Sequence, residues 1–192
     1  GDGGRPAATL PAVRGRAELL DAAWRWFADH HLAESALRLA VLWRAAGNEQ
    51  HRATVRSILL GYAERYAFYA TCSHHPPNPG VATFTTLDES VWLIPLAWAF
   101  TLISKTLPAA EASSVIDRLL VPAAEHLKRR RYPAIHNFTC WHNAAIATVA
   151  RIAGRTDLRN FALLGECGQR DQLDRGMLPD GLWFEGSMSY HF

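Results

Sequence analysis

Tyr190 and His191 stand in a glycine-rich run, residues 181–192, together with Trp183 and Glu185. A tyrosine hydroxyl has an ordinary pKa near 10. It can protonate a departing oxygen directly, or act as a base where nearby positive charge lowers that pKa. Glu185 supplies a second ionisable group. A second constellation is His136-Asn-Phe-Thr-Cys-Trp-His-Asn143, which follows Pro133 at the mouth of a predicted helix. The free N–H groups of a helix N-terminus attract anions, a carboxylate included. Positions 136 and 143, two turns apart, fall on nearly the same helical face. His136, Asn137, His142 and Asn143 in that setting suit an acidic ligand. The plainer alternative is capping, with Asn137 or Thr139 as N-cap and His142 a partly exposed helix residue. The third constellation is the stiff polar loop Ser73-His-His-Pro-Pro-Asn-Pro-Gly80, carrying His74 and His75 and leading to Asp88 and Glu89. Those two carboxylates read as a cap and a first-turn partner of the helix dipole, or as the wall of a cleft. His136, His142, His74 and His75 lack the tight Cys or carboxylate spacing of a zinc site, so neither a metal nor another cofactor is expected in this segment.

The elements that must position these groups read as helices. Apolar residues recur at helical spacing over 15–29, 34–46, 49–71, 88–106, 109–130, 139–153 and 157–175. Gly47, Gly154 and Gly176 serve as stops, and Pro95 is expected to bend its helix. The basic run Lys128-Arg129-Arg130-Arg131 closes a helix on the side its dipole favours. No period-2 pattern survives except a short hairpin at 177–185 around Asp180-Gly181. Helices joined by short links predict an all-α fold of antiparallel hairpins, either a solenoid or an (α/α) toroid. The lack of a fixed sequence period weighs against the solenoid.

A chain of 192 residues builds one sizeable core. The net charge of +2 argues against a dedicated nucleic-acid binder. No run of 18 apolar residues suggests a membrane span. Cys72, Cys140 and Cys167 show neither metal nor redox spacing. Trp141 and Trp183 can stack on sugar faces or fill core. The dense chemistry at 181–192 and the lack of an initial Met read as a piece of a longer protein, a single partial domain, whose localisation stays open.

Taken in order, Leu87-Asp-Glu-Ser-Val-Trp-Leu-Ile-Pro-Leu-Ala-Trp98, His136-Asn-Phe-Thr-Cys-Trp-His-Asn143 and Leu178-Pro-Asp-Gly-Leu-Trp-Phe-Glu-Gly-Ser-Met-Ser-Tyr-His-Phe192 resemble three landmarks of the heparinase II/III-like and alginate lyase families of polysaccharide lyases. The resemblance covers about the last 120 residues well, and the last segment is the most specific. It implies an incomplete (α/α) toroid followed by a β-sandwich domain of the same chain, acting on an acidic polysaccharide or oligosaccharide by β-elimination. It implies His136 or Asn137 as neutraliser of the uronate carboxylate and Tyr190 as proton donor. His142, Asn143 and Glu185 enter only as cleft residues, with Trp141, His74 and His75 as substrate-binding candidates. Two rivals are kept. A toroidal glycoside hydrolase needs two carboxylates about 5–10 Å apart, for which Asp180 and Glu185 are the close pair. The other is a carbohydrate-binding scaffold without catalysis.

Overall fold

The computed structural model describes residues 11–71 and 78–186, with side chains from Leu20 onward except those of residues 21 and 22. Among the described residues every regular element is helical, as the apolar periodicity predicts. α1 (Pro11–Ala46) and α2 (Glu49–Arg65) form a hairpin across Gly47-Asn48. The Asn48 side chain closes that link by accepting the Gln50 amide at 2.9 Å. α3 (Thr86–Ile103) follows the 78–85 loop. α4 (Ala109–Val115) and α5 (Val121–Arg130) are joined through a π-helical turn at Ile116–Leu120, so that 109–130 runs on as one rod. α6 (Asn137–Ala153), α7 (Thr156–Leu164) and α8 (Gln169–Gly176) complete the order.

Three boundaries differ from the sequence expectation, the first being that the helix expected over 49–71 ends at Arg65 in a 3₁₀ turn, Tyr66–Phe68. The separate helices at 15–29 and 34–46 are a single helix, α1. Residues 30–33 are His-His-Leu-Ala and contain no Gly or Pro, so nothing there removes an i→i−4 hydrogen bond. Conversely, the helix expected over 157–175 is two helices. Gly165 and Gly168 interrupt it, and Cys167 between them adopts a left-handed conformation with φ 53°. The hairpin at 177–185 is present. Gly181 donates to the Leu178 carbonyl at 2.8 Å and takes φ 84°, while Leu178 and Leu182 pair at 2.8 Å. This is a three-residue loop with glycine in the left-handed position.

α3 is the centre of the structure and packs against α1, α2, α5 and α6. Its segment Thr86–Thr106 is long and apolar enough by composition to cross a membrane, contrary to the sequence reading. However, 56% of its most apolar window is buried, as suits a helix surrounded by other helices. Trp92 lies at its heart, stacked on Tyr66 with centroids 5.9 Å apart and met edge-on by Tyr62 at 5.1 Å. α3 continues through Pro95 to Ile103.

The start of α3 fixes the loop before it. Thr85 is the N-cap, and Asp88 answers it in a reciprocal capping box: the Asp88 amide donates to Thr85 Oγ1 at 3.2 Å, and the Thr85 amide donates to Asp88 Oδ2 at 3.1 Å. Glu89 does something the dipole reading did not anticipate. It is fully buried, and its Oε2 accepts the backbone amides of Val81, Ala82 and Thr83 at 3.0–3.1 Å. Its Oε1 accepts the Tyr66 hydroxyl at 2.7 Å. Burial pushes the Glu89 carboxyl up, while Tyr66, Thr83 and the nearby His126 pull it down. Its amide and phenol partners are donors, so the arrangement is built around the carboxylate. His126 from α5 holds the same loop, with Nε2 2.9 Å from the Pro79 carbonyl.

Candidate functional site

The 131–136 segment, the start of α6 and the 177–185 hairpin meet at one rim of the helical array. α6 starts where His136, in extended conformation (φ −167°, ψ 147°), turns Nδ1 back to accept the Phe138 amide at 3.2 Å. Neither expected N-cap serves. Asn137 is the first helical residue, and the buried Thr139 donates its hydroxyl to the Tyr132 carbonyl at 2.7 Å.

The other ring nitrogen of His136 lies 3.3 Å from Glu185 Oε1. With Nδ1 accepting the Phe138 amide, the Nε2–H tautomer is the one that fits, and Nε2 faces the Glu185 carboxylate. The side chains are 34% and 16% exposed, so solvent reaches the pair. Glu185 Oε2 accepts the Trp183 indole N–H at 2.8 Å. Trp183 in turn lies on Gly176, where an added Cβ would stand 2.2 Å from the indole ring. Trp183 therefore acts as a prop for Glu185. Gly176→Ala is expected to push the ring away, cost about 1–3 kcal/mol by overpacking and loosen the Glu185–His136 contact. Urea denaturation checks this, and a loss below about 0.5 kcal/mol would mean that the ring yields freely.

Asn137 is the contrasting member of the pair at the head of α6. Its Oδ1 is buried with no hydrogen-bond partner. Thus the Asn137 carbonyl oxygen keeps unused acceptor capacity, whereas both ring nitrogens of His136 face a partner.

His142 and Asn143 are fully buried, so His142 is not the partly exposed residue of the capping alternative. Asn143 is a brace. Its Nδ2 donates to the Cys167 carbonyl at 2.9 Å, and its Oδ1 accepts Arg131 Nη1 at 3.2 Å. Arg131 also donates to the Glu166 carbonyl and stacks over the Phe161 ring at 4.1 Å. Burial, with smaller pushes from Arg131 and His126 and an opposing pull from the Thr86 backbone, brings the His142 pKa down to about 4. Neither of its ring nitrogens has a hydrogen-bond partner. The unfolded chain takes up this proton near 6.5, but the folded ring resists until about 4. Stability from this residue is therefore complete above 6.5 and lost as pH falls toward 4, by up to about 1.4 kcal/mol per pH unit. Thermal midpoints measured down this range should show a slope that flattens in His142→Leu. An unchanged slope would exclude His142 as its source.

Trp141 is 44% exposed and lines a groove of about 350 Å³ with Cys140, Ala144, Leu163 and Gln169. Its indole is open for stacking. Asp180, the hydrolase reading's partner for Glu185, accepts the Leu182 amide at 3.0 Å within the hairpin. Tyr190, His74 and His75 lie outside the described residues. Among the described residues no group of three His, Cys, Asp or Glu side chains is placed to hold a metal ion. Two residues central to this rim carried no sequence signal. Arg131 reads as the end of a basic run, and Gln172 is one polar residue among several in the expected 157–175 helix.

No protein-family model matches the chain. An exo-oligoalginate lyase of Saccharophagus degradans is 28% identical over 171 residues, 82% of this chain. An alginate lyase of Stenotrophomonas maltophilia is 28% identical over 166 residues, 80% of this chain. The chain is similar to alginate lyases. It spans only 22–23% of the length of these two relatives.

Proposed function

We propose that this chain forms part of an (α/α) toroid in a polysaccharide lyase, and that the rim at the head of α6 binds the acidic sugar of an alginate-like polymer for β-elimination. The observation that carries the reading is the start of α6, where Asn137 and the first-turn amides stand beside His136 and Glu185, in a chain alike to two alginate lyases over four fifths of its length.

In this reaction the C5 proton goes to a base and its electron pair becomes the C4–C5 double bond. The C4–O4 bond breaks, and O4 takes a proton. The difficulty is negative charge growing on the uronate carboxylate as C5 is deprotonated. Donors already aimed at that carboxylate stabilise the transition state by roughly 3–4 kcal/mol per lost contact. Asn137, through Nδ2, and the N-terminal amides of α6 are such donors, and neutral ones. His136 joins them by exchanging Glu185 for the substrate carboxylate at Nε2. Tyr190 donates the proton to O4, or acts as base and acid in turn. Trp141 offers a stacking face. His74 and His75 are kept as candidates for contact with the substrate.

The test is near-ultraviolet absorbance of the unsaturated product on a panel of glycuronans, with the natural full-length protein. His136→Ala is expected to slow turnover and raise KM for the acidic polymer. Products without the double bond would replace this reading with hydrolysis. Binding with no turnover would leave a carbohydrate-binding scaffold.

A further inference from the structure

We infer that Gln172 is a positioning residue for His136, an inference that rests on the proposed role of the α6 rim. Gln172 is the fourth residue of α8 and is fully buried. Its Oε1 accepts the His136 backbone amide at 3.0 Å. Its Nε2 donates to the Ala134 carbonyl at 2.9 Å and to the Cys167 carbonyl at 3.1 Å. The Cys140 thiol stands 3.6 Å from the same Oε1. One side-chain amide therefore grips the main chain on both sides of residue 135 and ties it to the turn between α7 and α8.

His136 is consequently held at three points: its main-chain N–H by Gln172, Nδ1 by the Phe138 amide and Nε2 by Glu185. The last two set the ring's tautomer, but only if the backbone delivers the ring at the right height, and Gln172 sets that height. The turn it leans on is itself fixed. Cys167, in the left-handed region, has its amide bonded to Asp171 Oδ2 at 2.9 Å, and its carbonyl is shared with Asn143. A buried amide with both ends satisfied is worth most as a device of specificity, because each polar partner is left unpaired when it goes.

Gln172→Met keeps length and volume and removes every hydrogen bond. The first readout is the imidazole nitrogen NMR spectrum of His136. The single Nε2–H tautomer of the native protein should become a mixture of tautomers. The second is turnover of the natural full-length protein, where kcat should fall about 10- to 100-fold, the scale of a small misplacement at a reacting centre. Leu158→Ala, a buried substitution in α7, is the control: it should destabilise the fold yet leave both the His136 spectrum and kcat in place. If Gln172→Met does not fold, hydrogen exchange in the native protein decides. The His136 amide should be as protected as core amides of α6. Rapid exchange there, or a folded Gln172→Met with native tautomer and native kcat, overturns the inference. If the full-length protein lacks lyase activity, the functional reading falls, and the NMR and exchange results still decide whether Gln172 positions His136.

Discussion

In the natural full-length protein Tyr190→Phe is expected to lower kcat for β-elimination by roughly 10²- to 10⁴-fold while changing KM little. Phenylalanine keeps the ring and its packing and removes only the transferable proton. An interaction made mainly in the transition state shows in kcat, whereas one made equally in the ground state shows in KM. Steady-state rates of double-bond formation provide the measurement. Turnover at the native rate would remove Tyr190 from proton transfer, and with it the central residue of the lyase reading. Combined with His136→Ala, the experiment separates two tasks, since loss of a carboxylate partner should weaken binding and loss of a proton donor should not.

The second large effect is on stability. Glu89→Leu is expected to destabilise the fold by roughly 3–5 kcal/mol, because the buried amides of Ala82 and Thr83, the buried Tyr66 hydroxyl and the half-buried Val81 amide would lose their acceptor. Leucine is the sharper choice than alanine, since it leaves no space for a water molecule to replace the carboxylate. Chemical denaturation followed by circular dichroism measures the loss. A cost below about 1 kcal/mol would mean that the 78–85 loop is held by its other contacts, the capping box and His126.

What the sequence made legible follows from local rules. Helical periodicity located the long rods, Gly154 ended α6, and Asp180-Gly181 marked the hairpin. Each of those signals is carried by a few neighbouring residues. The joining of 15–29 to 34–46 was missed because a short polar His-His stretch looks like a link but contains no breaker. The division at Gly165–Gly168 was missed because isolated glycines are tolerated inside helices. The site was legible in part. His136 and Glu185 do come together, yet the cap fell on His136 and not on Asn137 or Thr139. His142 and Asn143 share the motif's spacing, but α3, α5 and the 165–168 turn cover them. Gln172 and Glu89 escaped because a polar residue on a helix looks alike in sequence whether it faces water or grips another segment. Only the path of segments distant in sequence reveals the difference.

The hold of Glu89 on the loop passes through main-chain N–H groups, which every amino acid except proline possesses. The anchoring of residues 81–83 thus rests mainly on backbone, with the Thr83 hydroxyl, which also donates to Glu89 Oε2 at 3.0 Å, as the one side chain that shares in it. Val81, half-buried against the core, can exchange for another apolar side chain while its amide stays anchored. A lineage could vary that position, one apolar substitution at a time, without renegotiating the start of α3.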